Sequence, residues 1–115
     1  MNKLHLAVTT TNPKILDEFS KDENYYVRRG VASNPNASPE ILNYLSEDED
    51  WHVRCWVASN LNTTPETLKQ MSIDEDEDDD DQIIYYIKRN PNCSEELYRY
   101  LSALEILKTL PEVST

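Results

Sequence analysis

Few side chains of this 115-residue chain could do covalent chemistry, and their spacing does not assemble them. The two histidines, His5 and His52, stand far apart, and neither has a serine or cysteine nucleophile at a recognisable spacing. Within the repeats described below, His52 takes the place held by Tyr26 and Gln82, so this position tolerates unrelated chemistry and reads as exposed. Gly30 is the sole glycine, which excludes a glycine-rich phosphate loop. Cys55 and Cys93 form no CxxC, and a four-ligand metal site would need partners the chain does not offer. Both read as structural thiols. No catalytic residue, cofactor or metal is assigned, and the chain reads as no enzyme.

What remains is the chemistry of recognition. The chain holds 22 acids against 11 bases, a formal net charge of −11. The acids gather in loops: Asp22-Glu23, then Glu47 to Asp50, then the unbroken run Asp74, Glu75, Asp76, Glu77, Asp78, Asp79, Asp80 and Asp81. Such a surface disfavours nucleic acid as a direct partner, since phosphate neutralisation demands bases. Three readings of the acids stand side by side. They are solvated loops that keep the protein soluble, or spaced carboxylates offered to a basic groove in imitation of DNA phosphates, or a weak divalent-cation site lacking the glycine and ligand spacing of an EF-hand. Some have structural work, with Asp48 or Asp50 expected to meet Arg28 or Arg54. Aromatic residues form a second set: Tyr25, Tyr26, Trp51, Trp56, Tyr85 and Tyr86, with Tyr44, Tyr98 and Tyr100 elsewhere. They read either as packing in a thin structure or as anchors on an exposed face, where Tyr and Trp are enriched at binding hot spots. Trp51 and Tyr25, aligned with each other, are expected to be partly exposed, and Trp56 and Tyr86 align with Gly30 in a widening column.

The elements that position these groups repeat. Val31-Ala32-Ser33-Asn34-Pro35-Asn36 returns as Val57-Ala58-Ser59-Asn60-Leu61-Asn62 and, eroded, as Ile87-Lys88-Arg89-Asn90-Pro91-Asn92. Ser20, Ser46, Ser72 and Ser102 each close a unit, at spacings of 26, 26 and 30 residues. A fixed period of this size marks a solenoid, in which each unit buries its apolar face only against its neighbours. Asn12-Pro13, Ser38-Pro39, Thr64-Pro65 and Ser94-Glu95 open one helix per unit, with an N-cap oxygen and, in three of them, proline at N1. Leu16, Leu42, Leu68 and Tyr98 are expected in its buried stripe. A shorter helix precedes it, marked by the i, i+4 pairs Val27 and Val31, Val53 and Val57, Ile83 and Ile87, and ended at the Asn-Pro or Asn-Leu step. Leu4 to Val8 reads as a degenerate copy of it. These signals together specify an all-α helical-repeat solenoid of about four helix–turn–helix units, approximately 4–23, 24–49, 50–79 and 80–105, with a tail over 106–115. The acidic loops should then line one edge as a ridge, with residues 74–81 as a mobile loop.

Val27-Arg28 and Val53-Arg54, the Val-Ala-x-Asn-Pro step, the Pro-Glu-x-Leu start and the Asp-x-Asp loop resemble the leucine-rich repeat variant family. The likeness spans roughly residues 4–105 and is strongest in units two and three. Unit one lacks the Val-Arg pair, and unit four has Ile83-Ile84 in its place. The resemblance implies a right-handed superhelix of alternating α and 3₁₀ helices, related to HEAT-like solenoids. Some members carry a cysteine-ligated iron–sulfur cluster in a separate N-terminal segment; nothing here matches it, and it is not carried over. Some HEAT-like solenoids are DNA glycosylases, but they need a basic concave face that is missing here.

Met1-Asn2-Lys3 leads into no apolar run of signal-peptide length, and no segment approaches the roughly 18 apolar residues of a membrane span. The expected setting is the cytoplasm of a bacterium or of a phage-infected cell. Two functions survive: an interaction module whose protein partner has a basic or mixed surface, or an acidic decoy that occupies the groove of a nucleic-acid-binding protein.

Overall fold

Short capped helices are what the chain builds. The computed structural model describes residues 2–73 and 80–111, with the backbone alone at Asp80 and Asp81. The described residues form eight α-helices and no strand: α1 (Lys3–Thr9), α2 (Pro13–Phe19), α3 (Tyr25–Ser33), α4 (Pro39–Leu45), α5 (Trp51–Ser59), α6 (Pro65–Ser72), α7 (Asp80–Arg89) and α8 (Glu95–Thr109). Each second helix starts as its N-cap dictates, the side chains of Asn12, Ser38, Thr64 and Ser94 accepting from Lys14, Ile41, Thr67 and Leu97 N–H. Asn24 and Asp50 do the same for α3 and α5, and Asn2 for α1. The resemblance implies 3₁₀ helices in alternation, yet the described helices are all α. The i, i+4 apolar pairs account for this, since i and i+4 share a face in an α-helix while a 3₁₀-helix brings i and i+3 together.

The helices α1, α3, α5 and α7 pack side by side in one layer, and each second helix leans on the next first helix rather than on its own kind. The molecule is correspondingly elongated, 61 × 25 × 17 Å. Val27, Val31, Val53, Val57, Ile83 and Ile87 are buried between the layers, together with Leu16, Leu42 and Leu68. Tyr98 departs from the expected stripe and is 47% exposed. The reason is positional. Leu16, Leu42 and Leu68 lie on helices that pack against the first helix of the following unit, whereas α8 packs back on α7. Leu97 and Leu101 make the contact instead, and Leu104 extends it. Ser102 likewise closes nothing, because α8 continues to Thr109, beyond the expected boundary at 105. The Lys88 ammonium reaches Glu105 at 3.0 Å and lies 5.0 Å from the Tyr98 ring centre, tying this extension to α7.

The asparagines do more than end helices. Asn34, Asn60 and Asn90 are almost completely buried, and each reaches into the preceding unit. Asn60 Nδ2 donates to the Ala32 and Asn34 carbonyls at 2.9 and 3.0 Å; Asn90 Nδ2 donates to those of Ala58 and Asn60 at 2.8 and 2.9 Å. Asn34 Nδ2 donates to Ala7 and Thr10, 2.9 Å each. Each Oδ1 meanwhile accepts the N–H two residues on, from Asn36, Asn62 or Asn92. A second rail runs beside the first: Asn62 donates to Pro35 and Ala37, and Asn92 to Leu61 and Thr63. Thr10 stands at the head of this ladder. Its hydroxyl accepts from Asn12 N–H at 3.1 Å, reproducing the turn without the two amide donors of an asparagine.

Gly30 serves the α1–α3 contact, since a Cβ there would lie 2.8 Å from that of Ala7. In the following units its place is taken by Trp56 and Tyr86, which are 49% and 36% exposed. One register position thus passes from a close helix contact to an aromatic surface.

Candidate functional site

The acidic loops divide by side-chain length. Asp48 and Asp50, on the shorter stems, turn inward, while Glu47 and Glu49 are exposed. Arg28 on α3 forks onto Asp48, with Nε and Nη2 donating to the two carboxylate oxygens at 2.8 and 3.2 Å. Its Nη1 donates to the carbonyls of Asp22 and Glu23 at 2.7 and 3.0 Å, so one guanidinium knits two successive loops. Arg54 is buried and donates to the Asp48 carbonyl rather than to its carboxylate. Asp50 pairs with Arg29, whose Nε donates at 2.8 Å. Helical spacing alone does not predict that partner, because it does not show that Arg29 can cross to the next unit. Between the first two loops lies an open groove of about 800 Å³, lined by Asp22, Glu23, Glu40, Glu47 and Glu49 around Arg28. The ridge is therefore thinner than the raw count of acids suggests. Expectations placed on Asp74, Glu75, Asp76, Glu77, Asp78 and Asp79 lie outside the described residues. Asp80 and Asp81 open α7, with only their backbone described.

These pairings predict the acid limb of stability. Burial alone would raise the Asp50 carboxyl, but the Arg29 hydrogen bond and charge and the His52 N–H hold it below its ordinary range. The Lys3 hydrogen bond and the Asn24 N–H lower Asp22 in the same direction. A depressed folded pKa confers stability in full above the unfolded value of about 3.9, lost as pH falls through the folded one. Thermal melts between about pH 2 and 6 should show the midpoint falling only in the lower part of that range, with Asp50→Asn flattening the fall. An unchanged slope in the variant would remove Asp50 from the account.

The aromatic residues gather on the outer side of the first-helix layer. Tyr25 and Tyr26 are exposed, with ring centres 4.6 Å apart. Arg29 lies over both, its guanidinium carbon 4.7 and 4.9 Å from their centres, and its Nη2 donates to His52 Nδ1 at 2.8 Å. His52 stacks on Trp51 at 4.0 Å. Trp51, His52, Cys55, Trp56, Ser59, Gln82 and Tyr86 then line a pocket of about 260 Å³ between α5 and α7. Tyr25 is exposed as expected, while Trp51 is only half-buried and leans on the core. Trp56 and Tyr86 are the more open rims. The column through Gly30, Trp56 and Tyr86 pointed to this place in the sequence, but the pocket itself exists only where two helices meet. Among the described residues no cluster of histidine, cysteine and acidic side chains could hold a metal ion. No described helix is long and apolar enough to cross a membrane.

Comparison with known proteins returns no match: no family model, no curated protein and no solved structure aligns with this chain. The likeness to the leucine-rich repeat variant family stands on the residue pattern alone.

Proposed function

We propose that the chain is a non-enzymatic interaction module whose first-helix layer presents aromatic anchors to a protein partner with a basic or mixed surface. The observation that carries this reading is the continuous aromatic face from Tyr25 and Tyr26 through Trp51 and His52 to Trp56 and Tyr86. Trp56, Tyr25 and Tyr26 leave a third or more of their surface to solvent. Rigid rings with one apolar body and one polar edge supply contact area at low entropic cost, and a site of this kind is where binding energy concentrates. The net charge of −11 steers a basic partner toward the molecule without supplying most of the affinity.

The second reading, an acidic decoy for a nucleic-acid-binding groove, keeps support from the charge of −11 and from the groove beside Arg28. Site-specific photo-crosslinking in the native host separates the two. A crosslinker at Trp56 should capture a partner that one at Glu47 does not, and that complex should lose only a few-fold in affinity when salt rises from about 50 to 300 mM. Capture from Glu47 alone, with a steep salt dependence, would replace the module by the decoy.

A further inference from the structure

The solenoid contains its own picture of what fills its aromatic pocket. Between α3 and α5 the tilted pair Tyr25 and Tyr26 carries the guanidinium of Arg29, which reaches Asp50 and His52 across the helix pair. One unit on, the aromatic pair and the acceptor have equivalents and the cation does not. Trp51 and His52 stand for the tyrosine pair and are stacked, with ring centres 4.0 Å apart. Gln82 stands for His52 and offers a side-chain carbonyl as acceptor. Arg29 is replaced by Cys55, a short and buried side chain, and where the arginine would lie there is the pocket between α5 and α7.

We propose that this pocket receives an arginine side chain from a basic segment of the protein partner, over the Trp51–His52 pair and between Trp56 and Tyr86. The proposal rests on the interaction-module reading and names the chemistry of its anchor. At about 260 Å³ the pocket falls below the usual range of roughly 300–1,000 Å³ for small-molecule sites and suits one long side chain. Ring faces attract a guanidinium, which stacks on them more readily than the strongly hydrated lysine ammonium. The charge of −11 draws a basic segment to the surface around it. Cys55 is what makes the site selective for a guest: an arginine there would close the pocket from within, as Arg29 does one unit earlier.

Both tryptophans of the chain line the pocket, so intrinsic fluorescence reports on it directly. The probe is the blocked tripeptide acetyl-Gly-Arg-Gly-amide at low salt, compared with the same peptide carrying citrulline or leucine. The arginine peptide should give a saturable change and bind about tenfold more tightly than either control. Cys55→Arg should abolish the response while circular dichroism and the melting midpoint hold. Should that variant fold poorly, Tyr86→Ala, at the exposed rim, should weaken binding about fivefold. Equal binding of citrulline or leucine would overturn the proposal, as would full binding by a folded Cys55→Arg or by Tyr86→Ala. A failed peptide titration beside successful crosslinking from Trp56 would reject the arginine pocket and leave the module standing; failure of both would reject the two together.

Discussion

Asn60→Asp should be the most damaging single-atom change in this protein, costing several kcal/mol at neutral pH. The substitution keeps shape and volume but turns the two amide donors into an acceptor. The Ala32 and Asn34 carbonyls then lose the donor that satisfies them and face a buried carboxylate instead. Leaving a buried group unsatisfied costs about 1–3 kcal/mol, and a buried charge without a partner costs more. Asn60→Ala, which removes the charge problem, should cost about 2–5 kcal/mol. Asn60→Thr copies Thr10, keeping an acceptor for Asn62 N–H while dropping both donors, and should fall between wild type and Asp. The Asp variant also carries a pH signature. Its carboxyl should be raised in the folded state, so the deficit against wild type should be smallest below the ordinary aspartate pKa of about 3.9 and grow as pH rises through the folded value. Urea unfolding followed by circular dichroism measures all three variants. Wild-type stability for Asn60→Asp at pH 7 would mean that the ladder carries no stability.

Leu42→Ala and Tyr98→Ala, equivalent in the repeat, should behave unlike one another. Leu42 is fully buried, and emptying such a site costs about 2–5 kcal/mol through lost transfer energy and the cavity left behind. Tyr98 is 47% exposed, with the Lys88 ammonium 5.0 Å from its ring centre, so its loss should cost less than about 1.5 kcal/mol. Matching costs would show that α8 is packed as α4 is, and that packing back on α7 makes no difference.

Periodicity makes more of this protein legible than composition does. The proline-marked caps at Asn12, Ser38 and Thr64 and the valine pairs of α3 and α5 are local signals, satisfied within a turn or two of helix, and each appears in the structure where the residues place it. The core follows for the same reason, since a repeated stripe between repeated neighbours has one place to go. The stripe misleads only at Tyr98, because α8 packs back on α7 and identical register no longer means identical surroundings.

What only the tertiary structure decided lies in contacts between units. Asn34, Asn60 and Asn90 look like turn residues in one dimension, and their turn-forming Oδ1 is indeed local. Their Nδ2 donors reach carbonyls 24 to 32 residues away, a relation no short-range pattern encodes. Arg28 and Arg29 are adjacent on one helix, yet they pair with different aspartates because helical geometry turns them about 100° apart. The substitution of Cys55 for the arginine of the preceding unit is written in the sequence. That it leaves an aromatic pocket follows from Trp56, Gln82 and Tyr86 converging from two helices, and only their packing brings them together.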